Sequence, residues 1–180
     1  MLIHRSISQL IKCIDERNTN GKITEFYGIN INKEFMPTVA NTNGVDATKY
    51  KILKENRFVF SGMQTGRDKC IRLGLYKGNP VIISPAYTTF EISALHEVLP
   101  EYFFMIFLDN EMDRYGWFIS DSSVRANLDF NRFMEIEFDL PDINVQKRYV
   151  NIYNAIQQVP KLKSKIKEIC PILIQKSLIE

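Results

Sequence analysis

Apolar residues fall at Ile7, Leu10, Ile11 and Ile14, the i, i+3, i+4, i+7 spacing of one buried helical face. Ser6 stands at the N-cap position, and the turn cluster Asn18-Thr19-Asn20-Gly21 marks the expected end of that helix. Period-two patterning then takes over. Lys22–Tyr27 alternates, and Phe58-Val59-Phe60 and Val81-Ile82-Ile83 carry the β-branched and aromatic residues of strands. Polar stretches with glycine separate these runs at Ala40–Gly44, Ser61–Gly66 and Lys77–Pro80. Pro100–Leu108 is strongly apolar and suits a buried helix better than a strand, while Phe130–Leu140 mixes both periods before Pro141. Strands interrupted by loops this often predict an α+β domain built on a twisted β-sheet.

The last segment differs in kind. From Asn144 onward there is no glycine, and Val145, Tyr149, Ile152, Ile156, Val159, Ile166 and Ile169 mostly alternate steps of four and three, the seam of a coiled coil. Lys163 falls where the strict seam wants an apolar residue, with Leu162 beside it as a substitute. Pro160 lacks the backbone donor that a helix interior uses, which predicts either a kink or two pieces near 144–158 and 160–170. A helix polar on its other faces must pack its seam on its own domain or on a partner chain. The chain therefore divides into a globular domain, 1–142, and a long C-terminal helical segment, 143–180.

Composition narrows the function classes. With 180 residues, 45% hydrophobic and 24% charged, the chain suits one domain plus an appendage and is neither disordered nor collagen-like. The net charge of +2 argues against coating nucleic acid by bulk charge, but its distribution is uneven. Residues 146–180 hold seven basic side chains against Glu168 and Glu180, and 49–77 hold eight against Glu55 and Asp68. Residues 91–113 hold six acids and no Lys or Arg. No apolar run reaches membrane-spanning length, and the first residues lack the pattern of a secretory leader, so a cytoplasmic protein with no membrane association is expected. Cys13, Cys70 and Cys170 are widely spaced and predict reduced thiols rather than a metal or disulfide framework.

Catalytic signatures are absent from the sequence. The two histidines, His4 and His96, have no neighbouring cysteine, and no phosphate-loop, dinucleotide-binding, zinc-protease or nucleophile-elbow motif occurs. Ser84-Pro85-Ala86-Tyr87 approaches the tetrapeptide with which amino-methyltransferases hold an extruded base, but Ala86 replaces its second proline. Phe60-Ser61-Gly62-Met63-Gln64 likewise lacks the second glycine of the cofactor loop. No catalytic residue and no metal ligand is expected. Binding chemistry is better represented: Arg67, Lys69 and Arg72 come from one loop and the strand after it. Arg114, Tyr115, Ser123, Arg125 and Asn127 interleave cationic, aromatic and amide groups in a second stretch. Such side chains contact phosphates and read base edges.

The order of segments resembles the DNA-specificity (S) subunits of type I restriction-modification enzymes. The resemblance rests on Asp15-Glu16-Arg17-Asn18, Gly28–Phe35, Asp46–Tyr50 followed by Phe58–Phe60, and Gly66-Arg67 with the strand at Ile71. It continues through Val81–Phe90, Ser123–Leu128, Ile136–Pro141 and Gln146. It implies a target recognition domain over 1–142 that docks into the major groove of double-stranded DNA, followed by a spacer helix. The nine contact candidates are then Arg67, Lys69, Arg72, Tyr87, Arg114, Tyr115, Ser123, Arg125 and Asn127, with Tyr87 ranked lowest because it can instead buttress the loop. A full S subunit has two such domains and two antiparallel helices, so this chain resembles half of one. Tyr149, Ile152, Ile156, Val159 and Ile166 would then form the seam of a homodimer. The expected partners are methyltransferase (M) subunits, which would supply the S-adenosylmethionine, and restriction (R) subunits where the complex cleaves. The competing expectation is a protein-interaction module, tethered by its helix, with no role on DNA.

Overall fold

Alternation along Phe58-Val59-Phe60 sends two rings to one face of a strand and the valine to the other, and all three side chains are buried. Both faces of the central sheet are therefore covered. A computed structural model describes residues 2–63, 65–121 and 126–177, with side chains of the last helix described for 143–160 and 162–166.

The chain runs β1 (Ile3–Ser6), α1 (Ile7–Leu10), β2 (Ile11–Cys13), β3 (Phe26–Ile29), β4 (Phe35–Pro37), a 3-10 turn (Ala47–Lys49) and β5 (Lys51–Leu53). It continues with β6 (Phe58–Ser61), α2 (Thr65–Asp68), β7 (Arg72–Leu75), β8 (Val81–Ile83) and β9 (Thr88–Ile92). The remainder is α3 (Pro100–Ile106), α4 (Asn110–Phe118), α5 (Phe130–Met134), β10 (Glu137–Leu140) and α6 (Ile143–Ser177). The central sheet has the order β2-β9-β6-β7 and is antiparallel throughout. The outer sheet has the order β4-β3-β8-β5, with β3 and β8 parallel. A two-stranded ribbon of β1 and β10 brings the start of the chain beside the strand that leads into α6.

Phe58, Phe60, Leu73, Phe90 and Ile92 face the helical layer, where they meet Ile7, Leu10, Phe103, Phe107 and Phe133. Phe58 and Phe90 stack with centroids 5.0 Å apart. Val59 faces the outer sheet with Ile29, Leu53, Tyr76, Val81 and Ile83. Gly74 shares that side, and a Cβ there would collide with Ile29 and Phe35. The result is an α+β fold of three layers with one large core and one smaller one, as the loop-separated strands predict.

Several sequence expectations need correction. The first helix is a single turn. Ile7 and Leu10 are buried as the spacing requires, but the carbonyl of Leu10 accepts from the Ser93 and Ala94 amides. Ile14 N–H turns instead to Thr89 O at 2.8 Å, so Ile11 starts a strand opposite Ile92. Lys22–Tyr27 is extended only from Phe26. Upstream, the Asn18 amide donates to Ile23 O and Ala47 O and accepts from Ile23 N–H, holding that stretch as irregular backbone outside the sheet. Pro100–Ile106 is helical with proline in its first turn, and Phe130–Leu140 resolves into a helix and then a strand.

Pro160 lies inside one continuous helix of 35 residues, about 52 Å long. Its missing donation to the Ile156 carbonyl falls where both residues are exposed, so solvent can take its place. No helix among the described residues is long and apolar enough to cross a membrane.

Candidate nucleic-acid interface

Two loops far apart in sequence meet at one edge of the helical layer. Gly66 N–H donates to Ala126 O at 2.8 Å and Leu128 N–H to Gly62 O at 2.9 Å. Both glycines are needed for this approach: a Cβ on Gly62 would strike Leu128 O, and one on Gly66 would strike the Ala126 Cβ. Helix α4 lies against the same junction, with Gly116 seated on Ile71. Asp113, on the same helix, accepts the Ile71 N–H at 2.9 Å.

The junction is fixed from below by a buried ion pair. Lys33, in the left-handed region at φ 64° in the turn between β3 and β4, donates to both Asp113 oxygens at 2.8 and 2.9 Å and to the Phe107 carbonyl. Cys70 Sγ donates to Ile31 O at 3.2 Å, and burial, with Asp113 next in effect, pushes its thiol up, away from a reactive thiolate.

Arg67 is exposed and pairs with Asp68 at 2.8 Å. The Asp68 carboxyl is held below the usual carboxylate range by Arg67 first and Arg72 second. Lys69, at φ 50°, holds its ammonium 5.0 Å from the centre of the Trp117 ring. Arg114 and Tyr115 are exposed on α4, with Arg114 paired to Glu111. Asn127 is half-buried, its N–H donating to Asp121 Oδ1. The structure therefore brings Arg67, Lys69, Arg114, Tyr115 and Asn127 to one region. Ser123 and Arg125 lie outside the described residues.

Arg72 and Tyr87 are placed differently. Arg72 is largely buried, is ion-paired to Asp68, and its Nε has no hydrogen-bond partner among the described residues. It stiffens the loop rather than reaching outward. Tyr87 packs half-buried against the smaller core, in a turn where its N–H donates to Ser84 O and its carbonyl accepts from Lys51. Register sets Phe60 opposite Thr88, so Tyr87 precedes β9 at the end of the central sheet where Ser61 and Arg72 pair.

Sequence reasoning assigned no role to Lys33, Asp113, Trp117 or Phe118. The last two, with Glu111, Arg114 and Tyr115, line an open cavity of about 770 Å³. Their signal was two adjacent aromatics ending a polar helix. The Asp15–Asn18 motif is structural: Glu16 accepts from Arg57, whose buried guanidinium also bonds Ile52 O and Glu91. Among the described residues no group of three or more His, Cys, Asp and Glu side chains is placed to hold a metal ion.

On α6 two stripes diverge. Gln146 is fully buried, donating to Glu97 O and Pro141 O and accepting from Leu99 N–H, and Val150 is buried one turn later. The seam beside it, Tyr149, Ile152, Ile156, Val159 and Ile166, is 43–60% exposed.

No protein-family model matches the chain, and no curated protein matches it by sequence. Solved structures do. The HsdS subunit from Thermoanaerobacter tengcongensis superposes with a TM-score of 0.58 at 16% identity, covering 98% of this chain and 48% of that one. The type I restriction-modification S subunit from M. genitalium gives 0.58 at 12% identity, covering 94% and 42%. A chain from a structure of the assembly and conformational transition of a type I R-M system gives 0.55 at 12%, covering 93% and 41%. This chain has the fold of the type I specificity subunits, and it spans less than half the length of each of these proteins.

Proposed function

We propose that this chain recognises one half of a bipartite DNA site as a half-length specificity subunit of a type I restriction-modification enzyme. The observation that carries the reading is the fold, shared over nearly the whole chain with about half of an S subunit. Residues 1–142 form the target recognition domain. Arg67, Lys69, Arg114, Tyr115 and Asn127 meet the duplex, together with Ser123 and Arg125, while Arg72 and Tyr87 support the loop. Two copies pair through Tyr149, Ile152, Ile156, Val159 and Ile166, restoring two recognition domains with two-fold symmetry. M subunits bind the assembly and supply S-adenosylmethionine, and R subunits join where the complex cleaves. The chain itself carries no catalytic residue and works in the cytoplasm.

The test is selection of bound duplexes from a random library by the chain together with its M subunits. Enrichment of an interrupted, two-fold-related sequence is expected. A complex that assembles yet enriches no sequence would instead make the chain a protein-interaction module.

A further inference from the structure

The outer face of α4 ends in two aromatics, Trp117 and Phe118, that the DNA-reading proposal leaves unused. Phe118 is 81% exposed and Trp117 47%, both lining the cavity beside Arg114. Lys69 covers one face of Trp117, so the ring left open is that of Phe118. A phenylalanine this bare contributes almost nothing to the core, and exposing it to water is unfavourable. Its surroundings point to the kind of partner. The loop that touches Trp117, residues 65–72, holds Arg67, Lys69 and Arg72 against the single carboxylate of Asp68, while on α4 Arg114 is offset by Glu111, an exposed pair that a phosphate can open. An apolar ring beside a locally cationic loop matches nucleic acid, whose phosphates lie a few ångströms from the stacked bases. The same loop is the one hydrogen-bonded to the second contact stretch through Gly66 and Ala126.

We propose that Phe118 is a wedge: on binding double-stranded DNA its ring inserts at a base step and unstacks it, while Lys69 and Arg114 hold the flanking phosphates. The inference rests on the DNA-reading proposal above. It adds a specificity determinant that senses deformability, favouring flexible pyrimidine–purine steps at the insertion point.

Permanganate reactivity of unstacked thymines, mapped along the selected duplex with the full chain and its M subunits, tests it. Wild type should show a reactive step that disappears in Phe118→Ala, with binding about tenfold weaker. Phe118→Met, which keeps an apolar wedge, should restore the step. Phe118 is too exposed for either change to unfold the domain. Sequence-selective binding with no Phe118-dependent reactive step would overturn the wedge and leave the DNA-reading proposal standing. Absence of selective binding by wild type would overturn both. Loss of M-subunit association in Phe118→Ala with an unchanged reactivity pattern would assign the patch to a protein partner and also overturn the wedge.

Discussion

Asp113 joins three segments through one carboxylate: it takes the Lys33 ammonium from the first hairpin and the Ile71 amide after α2, and it sits on α4 itself. The side chains are only 5% and 17% exposed, so removing either partner strands a desolvated charge. Asp113→Asn should cost about 3 kcal/mol in urea denaturation, and pairing it with Lys33→Met should recover much of that loss. A single-mutant loss below about 1 kcal/mol would mean that the pair is not the anchor described. His4 makes a second, pH-dependent contact. Hydrogen bonds to Asp139 first and Glu137 second raise its pKa above the ordinary value of 6.5. Because the folded value is the higher one, the stabilisation is complete below the unfolded pKa and fades as pH rises through the folded one. An NMR titration should therefore place the His4 imidazole above 6.5, and His4→Gln should flatten stability across that window. At this scale the candidate site was legible by residue type alone. Arg67, Lys69, Arg114 and Tyr115 are exposed, as a contact role requires, whereas nothing in the sequence separates a buried Arg72 from an exposed Arg67. Ion pairs such as Lys33–Asp113 span 80 residues, and no periodicity encodes them.

At the scale of elements, α6 shows both the reach and the limit of periodicity. The seam at Tyr149, Ile152 and Ile156 was readable from its alternating steps, but the domain is gripped by the adjacent stripe of Gln146 and Val150. A buried glutamine with all three hydrogen bonds made by backbone groups leaves no hydrophobic trace. The first helix failed for a related reason. Its i, i+3, i+4, i+7 spacing was real, yet the Leu10 carbonyl is claimed by Ser93 and Ala94, just past β9 and more than 80 residues later, a tertiary contact that overrides local preference. The two stripes of α6 predict separable effects. Replacing Ile152 and Ile156 by Glu should turn a light-scattering dimer into a monomer with the melting temperature of the domain nearly unchanged. Val150→Asp should lower domain stability by about 2 kcal/mol instead, because it buries a charge against α3. Monomeric wild type in the presence of M subunits would remove the seam from the account.

For the whole molecule, a net charge of +2 is the sum of unlike regions, and only some of those charges can meet a polyanion. Lys33, Arg57 and Arg72 are engaged internally by Asp113, by Glu16 and Glu91, and by Asp68. Arg67 and Lys69 stay exposed at the junction of the two loops. Each phosphate neutralised releases counterions and steepens the fall of affinity with salt by about one unit on logarithmic axes. Arg67→Ala and Lys69→Ala should therefore each reduce that slope by about 1 per recognition domain in the assembled complex, with little change in the selected sequence if the contact is to phosphate. Arg72→Ala should weaken binding through the loop while leaving the slope intact, because its guanidinium is largely buried whereas that of Arg67, paired to the same Asp68, faces solvent. Equal slopes for all three variants would mean that the exposed cations face solvent rather than DNA. In the proposed dimer each substitution would act at both halves of the DNA site, which sharpens the comparison. A near-neutral chain suits the proposed arrangement: a single recognition domain would bind weakly, and affinity would come from holding two domains on one duplex by a helix longer than a turn of B-DNA.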